Sequence, residues 1–141
     1  MQMLRLGIVG AGFVAKFHAR ALAQVRSVTV AGITSRTTSS AQALSRFVTQ
    51  HGLGEGSVYP SVSEMAPHVD AIAVYAPNYA RVEIVEQIVD AVEHGAALKG
   101  VICEKPLARN VREARRMVAL AREAGLKTAY FENQVFMKAI R

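Results

Sequence analysis

Short runs of β-branched and other apolar residues alternate along this chain with longer stretches in which apolar positions recur at three and four. The runs are Leu4 to Val9, Val28 to Ile33, Ala71 to Tyr75, Val101 to Cys103 and Thr128 to Phe131, with a weaker candidate at Val58 and Tyr59. They lack strict apolar and polar alternation, as strands covered on both faces should. Between them, Ala41, Leu44 and Val48 make one helical stripe, Val82, Val85, Val89 and Val92 a second, and Ala114, Met117, Val118 and Ala121 a third. The stripes read as core. This order of elements predicts an α/β chain, with a doubly wound parallel sheet covered by helices in three layers.

The last helix carries its own punctuation. Asn110 can cap its start, Glu113 three residues later can reach back to the cap amide, and Gly125 follows the last periodic position. Arg109, Arg112, Arg115 and Arg116 crowd the same segment but fall mostly off the apolar stripe, so they read as a solvated face.

Composition narrows the class. The 141 residues suit a single domain with one core, and the 51% apolar content excludes a disordered chain. No stretch approaches the roughly 20 apolar residues of a membrane span, so no membrane partner is expected. The lone Cys103 has no partner for a bridge, which fits a reducing, cytoplasmic setting, and it reads as buried strand filling. His51, His68 and His94 lie near predicted helix ends without ligand spacing, so no metal is expected, and His18 reads as a packing or surface residue. A net charge of +6 permits an anionic partner, whether nucleic acid, a membrane surface or a phosphate-bearing small molecule, and does not choose among them. No aromatic platform accompanies the basic residues, so no nucleic-acid partner is expected.

The first strand runs directly into Gly10-Ala11-Gly12-Phe13-Val14-Ala15, a G-x-G-x-x-A turn that opens a helix. Gly10 permits the tight turn, Gly12 lets a diphosphate approach without meeting a Cβ, and Ala15 lets the helix lie close to the sheet. Free amides at that helix start would hold the diphosphate. A glycine turn can serve structure alone. Its place between strand and helix predicts a Rossmann-type dinucleotide-binding domain, with Gly10, Gly12, Phe13 and Val14 at the cofactor.

The second strand ends in Thr34-Ser35-Arg36-Thr37, where such folds often place a carboxylate for the adenosine ribose. Arg36 beside hydroxyls suits a 2′-phosphate, through two charge-assisted hydrogen bonds. NADP is therefore the favoured cofactor, with Ser35 and Arg36 as its contacts and NAD as the alternative.

Together with Ala76-Pro77-Asn78 after the fourth strand and Glu104-Lys105-Pro106 after the fifth, the glycine turn makes the chain resemble the Gfo/Idh/MocA oxidoreductases from Leu4 to about Phe136. The resemblance implies that Ala76, Pro77 and Asn78 line the cofactor cleft. It implies too that Lys105 is the catalytic residue beside the nicotinamide, that Glu104 orients it, and that a cis peptide precedes Pro106. Standing alone, Lys105 would read as a surface lysine at a strand end. The family usually has a histidine three residues after its Pro-Asn, and Arg81 stands there instead.

Members of that family continue into a second domain that supplies most substrate contacts. The expected organisation is a dinucleotide-binding domain over 1–133 and, over 134–141, the start of a linker to such a domain, with a helix over Val135 to Arg141. The expected activity is hydride transfer to or from a sugar, cyclitol or related compound, with little turnover from this chain alone and a homodimer as one possible state. Either a shortened oxidoreductase or a natural one-domain protein fits. The competing function is a non-catalytic dinucleotide-binding sensor or scaffold.

Overall fold

The computed structural model describes residues 3–138. Six strands, β1 (Leu4–Val9), β2 (Val28–Thr34), β3 (Ser57–Val58), β4 (Ala71–Val74), β5 (Gly100–Glu104) and β6 (Lys127–Phe131), form one sheet in the order β3-β2-β1-β4-β5-β6. Every neighbouring pair is parallel. The chain therefore steps outward from β1 to β3, returns to β4 beside β1, and steps outward again. That reversal opens a crevice beyond the carboxyl ends of β1 and β4.

The helices α1 (Phe13–Leu22), α2 (Thr38–Gln50), α3 (Val62–Met65), α4 (Arg81–Glu93) and α5 (Val111–Glu123) divide between the faces of the sheet. Strand parity sets which side chain meets which layer. On β1, Ile8 packs with Ala15 and Ala19 of α1 and with Leu44 and Val48 of α2, whereas Val9 packs among α3, α4 and α5. On β4, Ile72 and Val74 join the α3–α5 side, while Ala71 and Ala73 join Leu6 opposite. This is the three-layered Rossmann arrangement.

The helical stripes hold with shifts. Ala41, Leu44 and Val48 are buried on α2. On α4 the core face is Val85, Ile88, Val89 and Ala91, with Val82 and Val92 half-buried. On α5, Met117, Leu120 and Ala121 are buried but Val118 is 48% exposed. Met117, Leu120 and Ala121 follow the i, i+3, i+4 face, and Val118 sits one position round from it. The edge strand β6 is exposed along Lys127 to Tyr130.

Asn110 caps α5, its side chain accepting from Glu113 N at 2.9 Å. Glu113 reaches back to the amide of Arg109 at 3.1 Å, one residue beyond the expected cap amide, and it also grips the Arg109 guanidinium. Arg116 pairs with Glu86 at 3.3 Å, and the four arginines of the segment are all exposed. Tyr75 lies just past β4, its amide donating to Val9 O at 2.8 Å. Asn133–Phe136 form a 3-10 turn in place of the start of the expected Val135 to Arg141 helix. Residues 139–141 of that expectation lie outside the described residues.

Candidate functional site

The turn from β1 into α1 is built as two different glycines. Gly10 has φ +94°, and a Cβ there would stand 2.7 Å from Ala76 N, so the turn closes against the chain leaving β4. Gly12 is the N-cap of α1 at an ordinary φ of −84°, and nothing lies within 4 Å of where its Cβ would be. That empty volume faces the first turn of α1. Its amides have no intrahelical acceptors, and neither a capping side chain nor an acidic residue occupies the turn. Ala15 is fully buried against the sheet.

This helix start opens into a cleft of about 830 Å³. Gly10, Gly12, Phe13 and Val14 form one wall, Ser35 and Arg36 another, and Ala76 and Pro77 a third. The structure thus brings together eight of the residues singled out in the sequence. Arg36 is exposed at the rim, its Nη1 donating to Tyr79 Oη at 3.5 Å, with the Thr37 and Ser40 hydroxyls 2.5 Å apart nearby on the same lining. Tyr79, Ser40, Ser61 and Glu83 also line the cleft. They arrive from α2, α4 and the loops after β3 and β4, so no local spacing announced them.

Asn78, Glu104 and Lys105 do not line this cleft. They belong to an adjoining loop system centred on Arg81, which is 3% exposed. Arg81 Nε donates to Ala76 O at 2.8 Å, Nη1 donates to the carbonyls of Glu104 and Pro106, and Nη2 to Lys105 O at 3.5 Å. One guanidinium therefore joins the cleft wall to the loop carrying Lys105. Burial pulls the Arg81 pKa down, and the charge of Glu104 is among the influences that oppose it. The Lys105–Pro106 peptide is cis and the Lys105 side chain is exposed.

Glu104 is buried on the α1 side of β5. Its Oε2 accepts the Lys105 amide at 2.5 Å and its Oε1 lies 3.1 Å from His18 Nε2. His18 was legible only as a packing residue, and it does pack, between Tyr75 and Phe131 at centroid distances of 4.7 and 4.3 Å. Burial, with Glu104's charge adding, holds the Tyr75 hydroxyl well above its ordinary pKa. Cys103 faces the α4 and α5 layer, where burial raises its thiol to about 11, so it is no nucleophile at neutral pH. Among the described residues, no helix is long and apolar enough to cross a membrane.

Comparison with known proteins gives the same reading. The chain is 35% identical over 126 residues to 1,5-anhydro-D-fructose reductase of Ensifer adhaerens, covering 88% of this chain and 34% of that one. It is 27% identical to scyllo-inositol 2-dehydrogenase (NADP(+)) IolU of Bacillus subtilis, covering 93% of this chain and 39% of that one. The chain thus spans about a third of the length of these relatives. An NAD binding oxidoreductase from Klebsiella pneumoniae superposes with a TM-score of 0.78 at 26% identity, over 98% of this chain and 36% of that one. The oxidoreductase family model with an NAD-binding Rossmann fold, Gfo/Idh/MocA, matches residues 4–131. By its sheet order, its glycine turn and these matches, the chain belongs to the Gfo/Idh/MocA oxidoreductases, as a domain for a nicotinamide dinucleotide.

Proposed function

We propose that residues 1–133 form the cofactor-holding domain of an oxidoreductase that moves hydride between NADP and a hydroxyl or carbonyl carbon of a sugar or cyclitol. The observation that carries this reading is the open volume at Gly12, where the free amides of α1 meet the cleft that also holds Arg36. The first turn of α1 would receive the diphosphate on its amides, with the helix dipole favouring the negative charge. Arg36, with the hydroxyls of Ser35, Thr37 and Ser40, would receive a 2′-phosphate; a guanidinium matches phosphate oxygens two at a time.

The sugar or cyclitol class is supported by the names of the two relatives above. When bound, the nicotinamide ring gives or takes the hydride. Lys105 would hydrogen-bond the substrate oxygen and offset the charge gathering on it, in a position fixed by Arg81 and Glu104. The reading assigns the substrate's other wall to polypeptide outside 1–133, with 134–141 starting the connection. Donor and acceptor must be held close, so the domain alone should turn over slowly or not at all.

A second cofactor reading, NAD, draws on Glu83, a carboxylate in the same cleft that can accept from ribose hydroxyls. Calorimetric titration of NADPH and NADH into the wild type and Arg36→Ala separates the two. The expected result is tighter NADPH binding in the wild type and a loss of about tenfold or more for NADPH alone in the variant, one charge-assisted pair's worth. Unchanged NADPH affinity in Arg36→Ala refutes the NADP assignment, and absence of binding by either dinucleotide refutes the domain's role.

A further inference from the structure

Glu104 ends β5 with both carboxylate oxygens occupied. Oε2 accepts the backbone amide of Lys105 at 2.5 Å, and Oε1 faces His18 Nε2 at 3.1 Å, across 86 residues of sequence. An ionised carboxylate can only accept, so the imidazole nitrogen that faces it carries the proton. The ring has little room to turn away. It lies stacked on Tyr75, 15° from parallel, with Phe131 at a centroid distance of 4.3 Å and the edge of Phe17 at 5.9 Å.

This clamp comes from three separate elements. Tyr75 follows β4, Phe131 ends β6, and His18 descends from α1 onto the side of β5 that faces it, where parity places Glu104 and not Cys103. Without a donor at position 18, Oε1 would be left partly buried with no proton to accept, and the carboxylate would be free to rotate.

We infer that His18 is a positioning residue for Lys105: it locks the Glu104 carboxylate, which holds the Lys105 amide and so fixes the direction in which the lysine leaves the end of β5. The inference rests on the reading of Lys105 as the group that meets the reacting oxygen. Reacting groups misplaced by about 1 Å can lose on the order of a hundredfold in rate, so fixing this one peptide matters out of proportion to its size.

The test is nitrogen-15 NMR on the purified chain, which needs no turnover. In the wild type, His18 Nε2 is expected to be protonated, and the Lys105 amide proton to lie well downfield and exchange slowly. In His18→Leu the Lys105 signal should move upfield and exchange at least tenfold faster. In His18→Gln, whose amide can still donate, most of that loss should be recovered. A merely structural role gives the opposite order, since leucine replaces the buried ring contacts better than glutamine does.

A wild-type His18 bare at Nε2 overturns the proposal without any variant having to fold. So does a Lys105 amide that is unmoved in His18→Leu, or no better held in His18→Gln. The catalytic reading of Lys105 fails on a separate result: unchanged hydride transfer in Lys105→Met of a protein that also supplies the substrate's other wall, with these amide signals intact.

Discussion

Gly10 and Gly12 stand two residues apart in one turn, yet the structure gives them different jobs that substitution to alanine can separate. At Gly10, φ +94° costs an L-residue roughly 1–2 kcal/mol. The new Cβ would also meet backbone, Ala76 N at 2.7 Å and Ala76 Cα at 3.0 Å, which no rotamer change relieves. Overpacking of that kind adds about 1–3 kcal/mol. Gly10→Ala should therefore lose about 3 kcal/mol, seen by circular dichroism as a melting temperature lowered by roughly 10 °C.

At Gly12 the φ is −84° and the space is open, so alanine fits the fold. A poorer N-cap and a less flexible unfolded chain work in opposite directions, which leaves stability within about 1 kcal/mol of wild type. The methyl instead projects into the cleft. Pushing the diphosphate off even one amide forfeits a charge-assisted hydrogen bond of about 1.5–3 kcal/mol, or roughly 10- to 100-fold in Kd for NADPH. Titration calorimetry reads this directly. Wild-type NADPH affinity in Gly12→Ala, or a wild-type melting temperature in Gly10→Ala, would refute the division of labour.

Three further outcomes follow from the geometry. Asp70 accepts from the Arg5 amide and guanidinium, with Lys99 3.5 Å away, and these hold its carboxyl at about 2 in place of 3.8. Because the folded-state value is depressed, the stabilisation is complete above about pH 4 and disappears as pH falls through 2. Allowing for the half-exposed Arg5, it amounts to roughly 1–2 kcal/mol, and in urea unfolding the loss between pH 5 and pH 2 should be larger by that much in wild type than in Asp70→Asn. Arg81→Met keeps the bulk but strips the carbonyls of Ala76, Glu104 and Pro106 of their buried donor, so urea unfolding should report a loss of about 3 kcal/mol; less than 1 would show that water replaces the guanidinium. Lys105→Met should leave NADPH affinity within about threefold while cutting hydride transfer at least a hundredfold in a protein that also supplies the substrate's other wall, and equal loss of both would make Lys105 a binding residue only.

Local patterns carried most of the fold. β1 was legible to the residue because Gly10 stops it, and β2, β4, β5 and β6 were read to within a residue at either end. Their apolar runs are long relative to the turns between them. α3 escaped notice because a four-residue helix shows no period, and Val118 was misjudged because valine at a near-helical spacing looks the same whether or not a layer covers it. In the site, the glycine turn and Arg36 were visible since their chemistry lies in consecutive residues. Tyr79 reaches the cleft from the turn after β4 and Glu83 from α4, and His18 meets Glu104 through the stacking of layers. Neither meeting leaves a mark on spacing along the chain.

The placement of Arg36 and Lys105 has a practical side. Arg36 follows β2 and Lys105 follows β5, which puts them three strand spacings apart, or about 14 Å, with β1 and β4 between. On the proposed reading, redesign of dinucleotide preference at the first acts three strands away from the second, and its one link toward it among the described residues is the hydrogen bond to Tyr79, two residues before Arg81. The Ala76–Pro77 peptide is tied more closely, since the guanidinium that holds the Ala76 carbonyl also holds those of Glu104, Lys105 and Pro106, one hub for both loops.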